Sequence, residues 1–250
     1  MPVRYEEKGR VVVITLDRQE AMNAINPEMA QDLAEALELF DADEERWVGI
    51  ITGAGDKSFC AGADLVGEGP GYGQRGRSAF AAVHAVAKPI IAAVNGYCMG
   101  GGLAMAVGCD VRIASDTATF SPAGTRRGVL PGGGQTSLLP LVVGMGRALE
   151  LLMWGDRIDA QEAWRIGLVN RVAPLADLMP QAVAWAEALC ERAPLAVRGV
   201  KKSVRGSMGK DLDAAMEQEA ALSYATRQSE DFQEGRRAFA EKRTPNFQAR

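Results

Sequence analysis

Histidine is nearly absent from this chain: His84 is the single histidine among its 250 residues. A histidine-based zinc site, or a Ser-His or Cys-His catalytic pair, would therefore have to use His84 itself. Cysteine is also sparse, and no two of the four cysteines form a Cys-x-x-Cys pair: they are Cys60, Cys98, Cys109 and Cys190. This spacing favours reduced, buried thiols rather than a disulfide framework. We predict no metal site.

The chain also lacks a strong charge of one sign and a long hydrophobic run. Its net charge is −4, which gives no general attraction for nucleic acid or for an anionic membrane. No apolar run approaches the roughly twenty residues of a membrane-spanning helix, and the first seven residues contain no apolar signal core. With 47% hydrophobic residues the chain can bury a full core. We expect a cytoplasmic protein that binds neither nucleic acid nor membrane.

Four short, β-branched apolar runs predict buried strands. These runs are residues 11–16, 48–52, 90–94 and 110–114. Apolar residues at helical spacing predict one helix after Pro27 and another before Lys88-Pro89. The alternation of strands and helices predicts an α/β fold with crossover connections.

Beyond Gln135 the pattern is almost wholly helical, and it breaks at Arg192-Ala193-Pro194. We therefore divide the chain into a core, residues 1–192, which we expect to contain the ligand site, and a C-terminal helical region, residues 193–250.

Two segments can present bare backbone N–H groups to a ligand. One is residues 60–64, Cys-Ala-Gly-Ala-Asp, and the other is residues 95–102, which end in three glycines. Small side chains let a ligand approach the main chain, and a glycine triplet that opens a helix adds free N–H groups and the positive end of the helix dipole. Together the two segments predict an oxyanion hole.

A set of segments, taken in order, resembles the crotonase or enoyl-CoA hydratase/isomerase superfamily. The matching segments are residues 17–24, 51–55, 59–65, 88–102, 128–134, 163–169 and 239–245. Each segment alone is a weak signal, but their order makes the resemblance specific, and it covers nearly the whole chain.

The resemblance implies a spiral of strand-strand-helix repeats followed by a C-terminal helical trimerisation region. It also implies a homotrimer or a dimer of trimers, an acyl-CoA ligand, and no cofactor apart from the coenzyme A of the substrate. By positional match, the N–H groups of Ala63 and Gly101 would hold the thioester oxygen.

The positions that match the family's coenzyme A contacts lie in two parts of the chain. They are the main chain at Met22, Ala24, Ala61 and Leu65, and the side chains of Phe239 and Lys242, which a neighbouring subunit could supply. The alternative for Lys242 is a solvated cation at a helix end.

The chain departs from the hydratases at both of their catalytic glutamates. Ala104 stands where the first glutamate would be, and Gly124 stands at the second. Hydration of an enoyl thioester needs groups that activate water and protonate carbon, and neither alanine nor glycine can do this.

Other groups could replace the missing base. Glu68, in the glycine-rich segment 67–76, and His84 are the candidate side chains, although a half-buried structural histidine is the alternative for His84. The glycine-rich segment itself is either a surface excursion or a flap over the ligand. Bicarbonate could act beside Gly124 if Arg126 or Arg127 neutralised it, unless both arginines lie on an outer face.

Three functions remain open at this point. The first is an enoyl-CoA hydratase/isomerase-like enzyme with an unidentified base. The second is an enzyme that needs no base, such as a decarboxylase of a malonyl-type thioester. The third is a non-catalytic acyl-CoA-binding protein.

Overall fold

A computed structural model describes residues 1–64 and 79–250, and the strands of this part form two sheets. The larger sheet contains β1 (Val3–Lys8), β2 (Val11–Leu16), β3 (Val48–Gly53), β5 (Ile90–Val94), β7 (Val111–Ser115) and β10 (Arg171–Ala173), in that order. The smaller sheet contains β4 (Ser58–Cys60), β6 (Tyr97–Met99), β8 (Thr119–Ser121) and β9 (Ile158–Asp159).

The described helices fall into two groups. Between and beside the strands lie α1 (Pro27–Ala42), α2 (Ala79–Ala85), α3 (Gly101–Gly108), α4 (Gln135–Val143), α5 (Met145–Trp154), α6 (Ala160–Arg165) and α7 (Leu175–Cys190). The C-terminal group is α8 (Pro194–Gly206), α9 (Leu212–Arg227) and α10 (Glu230–Glu241). Single 3-10 turns occur at Gln19–Ala21 and Thr125–Arg127.

The core repeats one unit three times: two strands and then a helix. The units are β3-β4-α2, β5-β6-α3 and β7-β8-α4. Successive first strands pair in parallel in the larger sheet, and successive second strands pair in parallel in the smaller sheet. Each unit therefore adds one strand to each sheet, which confirms the predicted spiral of strand-strand-helix repeats.

The four predicted strands are β2, β3, β5 and β7, all in the larger sheet. The pattern did not predict the smaller sheet, because β4, β6 and β8 have three residues each and are too short to show a period. The helix predicted after Pro27 is α1, where the Asn26 side chain accepts a hydrogen bond from the Met29 N–H and caps the first turn.

The inner strands of the larger sheet, β2, β3, β5 and β7, are buried on both faces. Along β2, Val12 and Ile14 belong to one apolar cluster, whereas Val11 and Val13 belong to another on the opposite face. Helix α7 covers the second face with Leu178, Ala182 and Ala186. Burial on two sides explains why these strands are continuous apolar runs rather than alternating ones.

The predicted boundary at residue 192 falls between α7 and α8. However, the end of the chain returns to the core: Phe247 packs against the cluster that α7 covers, and its carbonyl accepts a hydrogen bond of 3.2 Å from Arg10 Nη2. The division into two units therefore stays a prediction. Among the described residues, no helix combines the length and the apolar character needed to cross a membrane.

Asn95, at the end of β5, holds the connection between β3 and β4. Its Nδ2 lies 3.0 Å from the Gly53 carbonyl, 2.8 Å from that of Gly55 and 3.2 Å from that of Ser58. Its Oδ1 accepts a 3.2 Å hydrogen bond from the Gly53 N–H. Because Asn95 is only 4% exposed, water cannot replace these bonds.

We predict that Asn95→Ala lowers the free energy of unfolding by about 2–3 kcal/mol, since it leaves several buried backbone groups unpaired. Urea unfolding at fixed protein concentration measures this change. The exposed Asn246 provides the control, because Asn246→Ala should stay within about 0.5 kcal/mol. Equal effects of the two substitutions would contradict the role given to Asn95.

Candidate active site

The turn after β4 packs against the start of α3, and glycine is required on both sides. Gly62 has a φ of +96°, and a Cβ there would lie 2.9 Å from the Met99 carbonyl oxygen and 3.0 Å from the Gly101 nitrogen. A Cβ on Gly102 would lie 2.2 Å from the Cys60 carbonyl oxygen. The two backbones can therefore approach this closely only without side chains between them.

Gly101 is the first residue of α3, and its bare Cα faces an aromatic ring. A Cβ at this position would lie 2.2 Å from the Phe80 ring. Because the residue is in the first turn, its N–H has no partner within the helix and lies at the positive end of the helix dipole.

The N–H groups of Ala63 and Gly101 have no hydrogen-bond acceptor within residues 1–64 and 79–250. Both residues line the same cavity, which has a volume of about 380 Å³. Two free N–H groups on one cavity can stabilise a negative oxygen atom. The structure thus brings together the two residues that the sequence suggested for this role.

The described part of the cavity wall is mostly apolar. The described residues that line it, apart from Ala63 and Gly101, are Ala61, Gly62, Phe80, Gly100, Pro122, Ala123, Gly124, Arg127, Val129, Leu130, Pro131, Gly132, Gly133 and Gln135. Arg127 and Gln135 are the polar side chains of this set. An apolar wall with a few polar groups is typical of a pocket for a small organic ligand.

Gln135 was missed by the sequence analysis. The residue is 2% exposed, its Nε2 donates a 3.0 Å hydrogen bond to the Gly132 carbonyl, and its Oε1 is buried without a partner in the described part of the chain. It is the first residue of α4 and directly follows three glycines, and a glycine triplet also occurs at the start of α3, where two of the three glycines belong to the helix. That repetition was the signal that could have identified it.

Three predicted coenzyme A contacts lie in neighbouring turns. The Met22 carbonyl accepts hydrogen bonds from the Ala61 N–H at 3.1 Å and from Ser58 Oγ at 2.8 Å. The Ala24 carbonyl accepts a 2.7 Å bond from Arg18 Nη1, and Ala61 lines the cavity. The Met22 carbonyl already has two donors, so it positions the turn rather than offering a free acceptor.

Arg18 and Asp64 link these turns. Both Nη atoms of Arg18 lie 3.1 Å from Asp64 Oδ2, and the two side chains are 19% and 16% exposed. The Asp64 N–H also donates a 2.9 Å hydrogen bond to the Ile25 carbonyl. Asp64 therefore braces the turn that carries Ala63, in agreement with the tendency of aspartate to stabilise turns.

The two positions of the missing glutamates differ in their surroundings. Ala104 is 1% exposed, packs in the main core and is not among the cavity residues. Gly124 lines the cavity, but a Cβ there would lie 2.9 Å from both the Val129 carbonyl oxygen and the Pro131 nitrogen. The backbone would therefore have to shift to admit a side chain at Gly124, and bicarbonate beside this residue stays a prediction.

The candidate base His84 does not line the cavity. His84 lies in α2 and lines a different groove, together with Arg198 and Lys201 of α8, and its carbonyl accepts a hydrogen bond from Arg205. Glu68 and the predicted coenzyme A contact Leu65 lie outside the described residues. No described carboxylate or imidazole lines the cavity.

The two arginines after Gly124 separate. Arg126 Nη1 pairs with Asp156 Oδ1 at 2.8 Å, and both side chains are more than half exposed. Arg127 lines the cavity. Both arginines are exposed, as the alternative of an outer face expects, and Arg127 also borders the cavity.

The C-terminal candidates lie apart from the cavity. Phe239 is 88% exposed, and Lys242 ends α10 with a φ of +54°. Neither residue lines the cavity in this single chain, so their contact with coenzyme A stays a prediction that involves a neighbouring subunit.

Metal and thiol chemistry find little support at this site. Among the described residues, no three histidine, cysteine, aspartate or glutamate side chains come together as metal ligands. Cys60 is close to the hole, but burial raises the pKa of its thiol to about 12. The thiol therefore stays protonated at neutral pH and is a poor nucleophile.

Comparison with known proteins places this geometry in a family. The family model described as enoyl-CoA hydratase/isomerase matches residues 6–250, so the chain belongs to the enoyl-CoA hydratase/isomerase family. This confirms the resemblance that the sequence motifs suggested.

Individual relatives match over nearly their full length. The crotonyl-CoA hydratase of Syntrophomonas wolfei is 40% identical, and the match covers 97% of this chain and 96% of the hydratase. The (E)-benzylidenesuccinyl-CoA hydratase of Thauera aromatica is 38% identical, with 99% of each chain covered. The solved structure of an enoyl-CoA hydratase from Mycobacterium tuberculosis H37Rv has a TM-score of 0.95 and 34% identity, and covers 100% of this chain and 99% of its own. The chain therefore has the crotonase fold.

Proposed function

We propose that the protein binds an acyl-CoA thioester and polarises its carbonyl group through the N–H groups of Ala63 and Gly101. The observation that carries this proposal is the pair of N–H groups that line one cavity and have no acceptor among the described residues. Family membership supports coenzyme A as the carrier of the acyl group, because the relatives described above are named as hydratases of CoA thioesters.

Polarisation stabilises the enolate that forms when the α carbon of the thioester gains negative charge. In the enolate much of that charge resides on the former carbonyl oxygen, where both N–H groups would donate. Donors that are already oriented need no rearrangement during the reaction, and each is worth about two to three powers of ten in rate.

The reaction is harder to assign, because Ala104 and Gly124 supply no carboxylate. The names of the relatives cover hydration of two different acyl groups, so the family by itself does not decide the acyl group. We favour an enzyme of this family whose ordinary hydratase activity is weak.

Two alternatives fit the missing carboxylates. In a decarboxylase, the bond between the α carbon and the carboxylate carbon breaks, CO₂ leaves, the electron pair forms the enolate, and water then supplies a proton to the α carbon. That sequence needs the hole but no base to form the enolate. A non-catalytic acyl-CoA-binding protein is the other alternative.

We predict that crotonyl-CoA binds to the protein but is hydrated slowly, at least about 100-fold below a family hydratase in the same assay, since acid-base groups are typically worth two to four powers of ten. Calorimetry measures binding, and loss of the absorbance of the conjugated thioester measures hydration. Comparable turnover would mean that another residue supplies the proton chemistry, and Glu68→Gln and His84→Ala would then locate it.

We predict that the Gly101 N–H is required for polarisation. Proline suits the first helical position but has no N–H, whereas alanine keeps the N–H. Both add a Cβ that collides with Phe80, so we compare Gly101→Pro with Gly101→Ala, each combined with Phe80→Ala. In the vibrational spectrum of bound acyl-CoA, the shift of the thioester carbonyl should weaken with proline and persist with alanine. The same shift in both variants would count against the hole.

We further propose that the C-terminal helices form a homotrimer, alone or as a dimer of trimers. Large apolar side chains on these helices, and on the turn between α8 and α9, are exposed in the single chain: Val200, Val204, Met208, Leu212, Met216, Tyr224 and Phe239. An exposed apolar set of this kind is typical of a contact surface between subunits.

We predict a particle of three or six times the chain mass of 26.6 kDa in light scattering. Val200 and Val204 lie one turn apart in α8, so lysine at both positions should weaken assembly. Lysine at the exposed Leu39 in α1 is the control and should leave the mass unchanged. A native particle of one chain mass would contradict the trimer.

A further inference from the structure

Arg127 is the one cation among the described residues that line the cavity, and it is an exposed residue. It ends the 3-10 turn Thr125–Arg127 and lines the cavity that also contains Ala63 and Gly101. No described residue forms a salt bridge or a side-chain hydrogen bond with its guanidinium. Arg126, the neighbouring residue of the same type, pairs with Asp156 instead.

The cavity residues provide no carboxylate to match this charge. Apart from Arg127 and Gln135, every described residue of the wall is glycine, alanine, proline, valine, leucine or phenylalanine. A guanidinium beside an apolar wall prefers a planar anion that accepts two parallel hydrogen bonds, and a carboxylate has that geometry. When a ligand displaces water from the cavity, the attraction between such charges becomes stronger.

The position of Arg127 assigns this anion to the acyl end of the ligand. The predicted coenzyme A contacts at Met22, Ala24 and Ala61 lie in the turns before the hole, as described above. The Met22 turn bonds to the first turn of the hole at Ala61, whereas Arg127 belongs to the segment after β8, whose Ser121 carbonyl accepts a 2.8 Å hydrogen bond from the Gly100 N–H at the start of α3. A thioester oxygen at the hole would thus lie between the coenzyme A contacts and the guanidinium.

We propose that Arg127 binds a carboxylate of the acyl group, so that the ligand is the CoA monothioester of a short dicarboxylic acid. This rests on the proposed binding of an acyl-CoA. The cavity volume of about 380 Å³ is near the lower end of the usual range for ligand pockets, which favours a short acyl chain.

The carboxylate is remote from the α carbon rather than attached to it. An ion pair with a guanidinium stabilises the carboxylate as an anion and therefore opposes its loss as CO₂. A distal carboxylate would instead be kept through the reaction and would orient the acyl chain. Recognition by Arg127 thus favours a substrate of the succinyl or glutaryl type over a malonyl-type substrate for decarboxylation.

Free bicarbonate presents the same chemistry as an acyl carboxylate, but the site favours the tethered group. The Val129 carbonyl oxygen lies 2.9 Å from the place of a Cβ on Gly124, and a carbonyl oxygen repels an anion. A carboxylate attached to the acyl chain also has a high effective concentration at Arg127 once the thioester is bound, whereas free bicarbonate does not.

The test measures the calorimetric affinity of two ligands whose acyl groups both have five carbon atoms: glutaryl-CoA and pentanoyl-CoA. We expect the native protein to bind glutaryl-CoA about ten- to a hundredfold more tightly than pentanoyl-CoA. Arg127→Gln should abolish this preference and change the affinity for pentanoyl-CoA by less than about threefold. Arg126→Gln is the matched control and should keep the preference.

Several outcomes would overturn the proposal. Equal binding of glutaryl-CoA and pentanoyl-CoA by the native protein would exclude recognition of an acyl carboxylate, and equal losses in both arginine variants would indicate only a general positive field. Bicarbonate that tightens pentanoyl-CoA binding in the native protein but not in Arg127→Gln would assign Arg127 to the free anion. If no CoA thioester binds at all, the proposed function fails as well, so the two failures are distinguishable.

Discussion

The site depends on one constraint: the turn after β4 packs against the first turn of α3 with no side chains between the two backbones. Gly62 and Gly102 tolerate no Cβ because carbonyl oxygens occupy the space, and Gly101 tolerates none because the Phe80 ring does. Parallel pairing of β4 with β6 brings the two turns side by side. The N–H groups of Ala63 and Gly101 thereby reach one cavity, although the two residues are 38 positions apart in the chain.

Buried polar side chains hold this arrangement in place. Asn95 binds the backbone between β3 and β4, and Asn23 binds the carbonyls of Ala54 and Ser58 at 3.1 and 2.7 Å. Arg18 and Asp64 then tie the neighbouring turn to the hole. Because these bonds are internal, the donors of the proposed hole are oriented before any ligand arrives, and preorganised donors are the most effective ones. Met22 helps to hold the turn through its backbone carbonyl, which accepts two hydrogen bonds, whereas its side chain is exposed.

The chemistry of the cavity follows from an imbalance of charge. Its described wall offers two backbone N–H groups and one guanidinium as donors, and one unpaired amide oxygen, Gln135 Oε1, as an acceptor. Such a wall favours a ligand with negative or electron-rich oxygen atoms and offers little for proton abstraction. Enolate stabilisation and recognition of an anionic acyl group are compatible with that imbalance, whereas rapid hydration requires groups that Ala104 and Gly124 do not supply.

The sequence by itself determined the family, the four strands buried on two faces, the long helix after Pro27 and the two glycine-containing segments of the hole. These features are local, because β-branched runs, helical spacing and glycine clusters act through neighbouring residues. Only the tertiary structure decided the smaller sheet, whose three-residue strands have no period of their own and exist through pairing with other repeats. It also separated Arg126 from Arg127, placed His84 in a different groove and revealed Gln135. These outcomes depend on which segments pack together. Arg126 and Arg127 are adjacent and of the same type, so the sequence contains no signal that tells which of them borders the cavity.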